Sequence, residues 1–170
     1  MEISEYKLQS MSKWRQTMNW KLKKYKELNG EEIYKILKSR NKVFVVEQQC
    51  IYQDCDGKDE NAYHLYLEDK NEIIAYLRIL EKGISYDEAS IGRVLVSENY
   101  RGKGISKEML LRAINFIEQH LNETEIKISA QSYLVNFYRS LGFKEVSNEY
   151  LEDNIPHIDM LYKRSCGLRP

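Results

Sequence analysis

The feature that most constrains the fold is a glycine-rich turn between an apolar strand and an amphipathic helix. Residues 94–106 are Val-Leu-Val-Ser-Glu-Asn-Tyr-Arg-Gly-Lys-Gly-Ile-Ser, in which the glycines permit backbone dihedrals that other residues avoid. Residues 107–121 follow, and their apolar side chains recur at steps of three and four, which is typical of a helix packed through one face. Those apolar residues are Met109, Leu110, Ala113, Ile114, Ile117 and Leu121.

Such a turn is suited to binding an anion. The first amides of a helix lack intrahelical partners and lie at the positive end of the helix dipole, and Arg101 and Lys103 add positive charge. We therefore predict a phosphate or pyrophosphate clasp, with a tight turn that binds no ligand as the alternative. The sequence matches neither the Walker pattern nor the dinucleotide fingerprint, because no Gly-Lys-Ser/Thr and no third glycine occur at the required positions.

The rest of the chain alternates between strand and helix periodicities, which predicts a mixed α/β sheet covered by helices. One segment, residues 72–80, is apolar at nearly every position, as expected for a strand covered on both faces. Strands are predicted at 20–28, 62–67, 72–80, 90–96, 125–130, 143–146 and 157–162, and helices at 31–44, 107–121 and 132–141.

Composition favours a single globular domain. The 170 residues are 42% hydrophobic, and 26 Lys and Arg balance 26 Asp and Glu, so no net charge attracts the chain to nucleic acid or anionic membranes. No apolar run approaches the roughly 18 residues of a membrane span, and no signal peptide is visible. We predict a cytoplasmic domain over residues 18–165, preceded by an extension at 1–17 and followed by a tail at 166–170.

Two motifs resemble those of a known family. Arg101-x-x-Gly104-x-Ser106 is similar to the acetyl-CoA motif of the GNAT N-acetyltransferases, Gln/Arg-x-x-Gly-x-Gly/Ala, except that serine stands in the last position. A second motif follows at the family's spacing, with Ala-Gln at 130–131 and Phe-Tyr-Arg-Ser-Leu-Gly-Phe at 137–143. Further blocks resemble the ElaA-like branch, and the resemblance covers about residues 20–162. These blocks are residues 40–48, 56–59, 62–65, 91–94, 130–131 and 152–157.

The resemblance implies a GNAT fold that binds acetyl-CoA as co-substrate and needs no metal. Its mixed, mostly antiparallel central sheet would be splayed between the fourth and fifth strands and flanked by helices. The diphosphate would lie on the amides of the turn, the pantetheine arm would pair with the fourth strand, and an amide near Leu95 or Val96 could polarise the thioester carbonyl. The expected binding residues are Val94, Leu95, Val96, Arg101, Gly102, Lys103, Gly104, Ile105, Ser106 and Gln131.

Acetyl transfer to an amine needs a proton donor and a proton acceptor. Tyr138 matches the family position of the general acid that protonates the leaving CoA thiolate. The general base remains open among His64, Glu47 and His157, each of which also has an ordinary structural interpretation.

Other charged and sulfur-containing residues have weaker functional interpretations. Arg78 and Arg93 stand within apolar strands, where they either bind an anion or form buried salt bridges. Cys50 and Cys55 with His64 fit no standard zinc spacing, and a cysteine nucleophile is not required by the family's direct transfer. Three aspartates at positions 54, 56 and 59 do not fit a calcium loop, so we expect a solvated turn there. With Cys166 the cysteines are odd in number, which predicts reduced thiols.

Three functions are therefore compared. The first is an acetyltransferase acting on a small-molecule or peptide amine, with a homodimer expected from family habit alone. The second is a CoA-binding sensor or partner protein with the same fold and no catalysis. The third is nucleic-acid binding through the locally basic N-terminal segment, which predicts salt-sensitive retention on DNA that is lost when residues 1–17 are deleted.

Overall fold

The computed structural model describes residues 19–164, which form one eight-stranded sheet with helices on both faces. In space the strands follow the order β1-β2-β3-β4-β5-β8-β6, and β7 also pairs with β8. All neighbouring strands are antiparallel except β4 and β5, which confirms the predicted mixed, mostly antiparallel sheet. The elements are β1 (Asn19–Lys24), α1 (Gly30–Arg40), β2 (Ala62–Asp69), β3 (Glu72–Leu80), β4 (Ala89–Val96), α2 (Ile105–His120), β5 (Glu125–Gln131), α3 (Val135–Arg139), β6 (Phe143–Glu145), β7 (Tyr150–Glu152) and β8 (Ile155–Lys163). The predicted N-terminal extension and C-terminal tail lie outside the described residues and stay predictions.

The sheet opens between β4 and β5. These two strands pair only at Ala89 with Ile126 and at Ser90 with Lys127, after which their facing edges make no ladder with each other. The opening leaves residues 91–96 without a partner strand along one edge of β4, and the predicted splay between the fourth and fifth strands is confirmed.

Each face of the sheet has its own apolar core. On one face, the stripe of α2 is fully buried against the strands, with Met109, Ala113 and Ile117 at 0% exposure. On the other face, Ile36 of α1 packs in a second cluster with Tyr76. Residues of β3 are buried at every position after Glu72, as predicted for a strand covered on both faces, and burying each large apolar side chain stabilises the fold by about 1.5–3 kcal/mol.

Among the differences from the sequence prediction, two concern where an element ends and one concerns an additional strand. The strand predicted over 20–28 ends at Lys24, because the Glu27 carboxylate accepts a hydrogen bond from the Lys24 amide at 2.7 Å and turns the chain. The helix predicted over 31–44 ends at Arg40 and continues to Glu47 as wider π-helical turns. Strand β7 was missed; it reaches β8 through Asp153 and Asn154, both in the left-handed region.

Candidate active site

A cavity of about 750 Å³ occupies the opening between β4 and β5. Most of the residues selected from the sequence line it, although they come from distant parts of the chain. Residues 102–105 are not in the lining, but the residues on either side of them are. The predicted site residues that line the cavity are Glu47, Val94, Leu95, Val96, Arg101, Ser106, Gln131, Tyr138 and His157.

The glycine-rich turn, which we define as residues 101–106, directs the chain from β4 into α2. Gly102 and Gly104 have φ of +71° and +78°, a conformation that side chains disfavour, and Gly104 is the N-cap of α2. Arg101 Nε donates to the Val96 carbonyl at 2.9 Å, and Lys103 Nζ donates to the Asn99 carbonyl at 2.8 Å. The turn therefore presents the first amides of a sixteen-residue helix beside the cavity, which is the geometry of an anion site.

Strand β4 contains a bulge that sequence analysis did not predict. Tyr76 pairs with Leu95 and Arg78 pairs with Gly92, so Leu77 lies opposite two residues instead of one. Arg93, one of these two, has a φ of +53°, which is uncommon for a residue that is not glycine. Bulges bend a strand and re-aim its side chains, and residues 94–96, at and directly after this bulge, line the cavity.

Three arginines and three aspartates form a neutral network beside the bulge, which we name the arginine–aspartate cluster. The expectation of a solvated turn at residues 54–59 is wrong, because all three of its aspartates bind arginine. The alternative of a buried salt bridge is confirmed for Arg78, whereas Arg93 forms a partly exposed one. The cluster consists of Arg40, Asp54, Asp56, Asp59, Arg78 and Arg93.

The ion pairs of this cluster are at hydrogen-bonding distance. Arg40, which is fully buried, binds Asp54 at 2.7 Å and Asp59 at 2.8 Å. Arg78 binds both oxygens of Asp56 at 2.7 Å and Asp59 at 2.9 Å. Burial by itself would raise the pKa of Asp59, but hydrogen bonds and charge from Arg40 and Arg78 outweigh it and hold that pKa below its ordinary value. Asp59 therefore stays ionised between Arg40 and Arg78.

His64 lies outside the cavity lining. Its side chain is buried in β2, where Nδ1 lies 2.9 Å from the Tyr76 hydroxyl and Nε2 lies 3.0 Å from the Asp59 carbonyl. Since a carbonyl only accepts, Nε2 carries the proton and Nδ1 accepts from Tyr76. Burial lowers the pKa of His64, which favours this neutral form with both nitrogens engaged.

Tyr138 reaches the cavity from α3. It is 6% exposed and its ring makes edge contacts with Phe137 and Phe143. Burial, with a smaller contribution from Tyr133, raises the pKa of the Tyr138 phenol well above its ordinary value. The hydroxyl therefore stays protonated and can act as a proton donor to a group in the cavity.

Glu47 and His157 lie on different walls of the cavity and differ in their partners. Glu47 ends the wide turns after α1 and forms a 2.5 Å ion pair with Arg101 of the glycine-rich turn. His157 lies on β8 opposite Gln131 of β5, and its Nδ1 donates to the Ile155 carbonyl at 2.8 Å. In the neutral imidazole this leaves Nε2 as a proton acceptor.

The remaining expectations concern metals, thiols and basic residues. Within residues 19–164, no three His, Cys, Asp or Glu side chains are grouped to hold a metal ion. Cys50 Sγ lies 3.6 Å from the Asp153 carbonyl, and Cys55 is a free, exposed thiol, whereas Cys166 lies outside the described residues.

Two basic residues of the N-terminal region have acidic partners. Lys21 binds Glu68 at 2.6 Å, and Lys23 binds Glu32 at 2.7 Å, so their charge is largely compensated within the fold. None of the helices described is long and apolar enough to cross a membrane.

Comparison with known proteins gives a consistent result. Residues 24–164 match the family described as Acetyltransferase (GNAT) domain. The chain is 37% identical over 145 residues to the protein ElaA of Escherichia coli, covering 84% of this chain and 95% of that protein. It is 34% identical over 147 residues to a UPF0039 protein of Synechocystis, covering 86% and 96%.

Solved structures agree in fold and in length. An acyl-CoA N-acyltransferase from Pseudomonas aeruginosa superposes with a TM-score of 0.82 at 37% identity, covering 86% of this chain and 99% of that one. The crystal structure of Escherichia coli ElaA superposes with a TM-score of 0.80 at 37% identity, covering 85% and 99%.

Proposed function

Because the chain belongs to the GNAT acetyltransferase family, and within it to the ElaA-like branch, we propose that it transfers an acetyl group from acetyl-CoA directly to an acceptor amine. Members of this fold family bind acyl-CoA. The observation that carries the proposal is the open edge of β4, which borders a cavity between the glycine-rich turn and the buried Tyr138.

Binding would use mainly the backbone. The amides of Gly102, Lys103, Gly104, Ile105 and Ser106 would hold the diphosphate at the N-terminus of α2. The pantetheine arm would pair along Val94–Val96 as an added strand, which requires the unpaired edge that β4 offers. The amide side chain of Gln131 lines the opposite wall of the opening and would bind the same arm.

The chemical step breaks the thioester C–S bond and forms a C–N bond. The amine nitrogen attacks the carbonyl carbon, an amide of Leu95 or Val96 stabilises the negative charge on oxygen, and the sulfur leaves as a thiolate. Tyr138 donates its phenolic proton to that sulfur, while a base removes the proton of the amine. The products are the N-acetylated acceptor and CoA with a free thiol.

We propose His157 as the base that accepts the amine proton. An amine with an ordinary pKa near ~10 must lose a proton before it attacks, so the base needs a free acceptor atom in the cavity. His157 lines the cavity, and its Nε2 makes no hydrogen bond within residues 19–164, whereas Glu47 is held by Arg101 and His64 has both nitrogens engaged.

Release of the CoA thiol across a panel of amines tests the proposal. Tyr138→Phe is expected to lower kcat by about 10²–10⁴-fold, the usual range for a lost general acid, with unchanged affinity for CoA in calorimetry. Tyr34→Phe is the matched control, because Tyr34 lies on α1, is 70% exposed and lines no part of the cavity.

The outcomes separate enzyme from binding protein. CoA binding without thiol release on any amine would favour the non-catalytic alternative. No heat with either CoA or acetyl-CoA would exclude both. A Tyr138→Phe protein as active as the Tyr34→Phe control would remove Tyr138 from the mechanism and leave the transfer itself standing.

A further inference from the structure

We propose that Arg93 is a positioning residue for acyl transfer: anchored by Asp54, its side chain holds the β4 bulge in the shape that presents residues 94–96 to the cavity. This inference rests on the function proposed above and adds to it a residue that is not among those proposed to bind the thioester or the diphosphate.

The bulge lies just after the last pair between β4 and β5, where a small backbone shift would change the width of the opening between these strands. The last pair between β4 and β5 joins Ser90 to Lys127, and the bulge at Arg93 follows three residues later. Val94 is the second bulge residue, and it lines the cavity together with Leu95 and Val96, which follow it. The direction of this edge is therefore set at Arg93.

The backbone of Arg93 does not favour this shape by itself. Its φ of +53° lies in the left-handed region, which glycine adopts readily and a long side chain does not. A residue in such a conformation persists when its surroundings hold it there, so the contacts of the Arg93 side chain are the first place to look for that constraint.

Those contacts lead to a fixed anchor. Arg93 Nε donates to Asp54 Oδ1 at 2.7 Å, and a terminal nitrogen donates to the Asp54 carbonyl at 3.2 Å. The other carboxylate oxygen of Asp54 accepts from the fully buried Arg40 at 2.7 Å, and Tyr52 donates to Oδ1 at 2.7 Å. Asp54 is thereby held from two sides and can hold Arg93 in turn.

The same contact joins two walls of the cavity. Tyr52, Asp56 and Lys58 of the preceding loop line the cavity together with Arg93, so the Arg93–Asp54 pair sets the distance between this loop and β4. Arg93 keeps 21% of its side chain exposed, and Arg40 still neutralises Asp54 in its absence. Removing the Arg93 side chain should therefore alter the opening without unfolding the chain.

Three substitutions separate the roles of side chain and backbone at this position. Arg93→Ala removes the anchor and keeps the strain, Arg93→Gly removes both, and Arg93→Lys keeps a charge near Asp54 without the forked donor. We expect kcat to fall about 10²-fold in the alanine and glycine variants, the cost of a misplacement near 1 Å, with lysine restoring part of the rate. CoA affinity in calorimetry should fall less than kcat in all three, because the proposed diphosphate contacts of the glycine-rich turn would remain.

Glu32→Gln is the matched control for a purely structural loss. Glu32 is buried, binds Lys23 at 2.7 Å and accepts from the Tyr66 hydroxyl at 2.7 Å, but it does not line the cavity. It should lower the thermal unfolding midpoint and leave kcat unchanged.

Each contrary result has a distinct meaning. Wild-type kcat in Arg93→Gly would show that a left-handed backbone suffices, which overturns the role of the side chain. An equal loss of kcat in Glu32→Gln, or a loss of CoA affinity that matches the loss of kcat in Arg93→Ala, would overturn positioning. Absence of turnover in the wild-type protein would overturn both this inference and the proposed function.

Discussion

The glycine-rich turn and the arginine–aspartate cluster both adjoin β4, but the first depends on main-chain conformation and the second on side-chain contacts. The turn is six consecutive residues whose main-chain shape is set by two glycines with positive φ. The cluster takes its side chains from α1, the loop at 54–59, β3 and β4. One is a local backbone structure, and the other is a contact that exists only once distant segments have folded together.

This difference predicts different sensitivities. A site made of backbone amides tolerates a new side chain if the dihedrals are kept, since the donors belong to the main chain. The arginine–aspartate cluster is neutral as a whole, so the loss of a fully buried member such as Arg40 leaves a buried charge without its partner. Substitution of a buried arginine of the cluster should therefore damage stability, and substitutions in the turn should damage binding.

The largest expected effect is on stability, from Arg40→Met. Arg40 is fully buried and holds Asp54 and Asp59, so its replacement should lower the free energy of unfolding by about 3–5 kcal/mol. Urea denaturation measures the change. Arg40→Lys keeps the positive charge but loses the several donors of the guanidinium group. Its free energy of unfolding should therefore lie between that of Arg40→Met and that of the wild type.

Arg139→Met is the control for the Arg40 substitution. Arg139 also binds a carboxylate, that of Glu145, but half of its side chain is exposed, and exposed ion pairs contribute little to stability. Similar losses at Arg40 and Arg139 would contradict the distinction between buried cluster and surface pair.

The second effect is on binding, from Gly104→Glu. Gly104 has a φ of +78° at the N-cap of α2, so glutamate adds backbone strain and a negative charge where the diphosphate is proposed to lie. Loss of two charged hydrogen bonds at about 1.5 kcal/mol each would weaken CoA binding by roughly 10²-fold, as measured by calorimetry. Gly83→Glu imposes similar strain at a φ of +81° in the loop after β3, and CoA affinity there should stay at the wild-type value. Equal weakening in both variants would assign the effect to strain alone.

The two regions also differ in how far sequence could predict them. The turn and α2 were predicted because glycines and a 3.6-residue period are local signals, and Tyr138 and Gln131 were assigned from the resemblance to the family's motifs. The cluster was mistaken for a solvated turn, since an Asp-rich segment gives no sign that arginines from residue 40 and from two later strands will cover it. Arg93 gave no sign of a bulge either, because glycine is the residue expected at a positive φ.

The histidines illustrate a second limit of the sequence. Alternation along a strand predicts which side chains face the core only when one face is exposed. Strand β2 is largely buried on both faces, so the pattern around His64 could not tell whether its ring faces the cavity or the sheet interior. His157 and Glu47 reach the lining through β8 and the wide turns after α1, positions that depend on how the sheet opens.

The smallest expected effect is on CoA affinity, from Ser106→Ala. This variant is the most direct test of whether the turn binds the diphosphate through main-chain amides or through a side chain. Ser106 lines the cavity in the first turn of α2 and replaces the glycine or alanine of the family motif. If the diphosphate is held by main-chain amides, removing the hydroxyl costs at most one neutral hydrogen bond, about 0.5–1.5 kcal/mol, or no more than about tenfold in CoA affinity. Calorimetric titration of CoA into the wild-type and Ser106→Ala proteins, at the same salt concentration, measures the change in affinity. A loss as large as that of Gly104→Glu would mean that the hydroxyl is a principal donor, so that the turn, like the cluster, depends on its side chains.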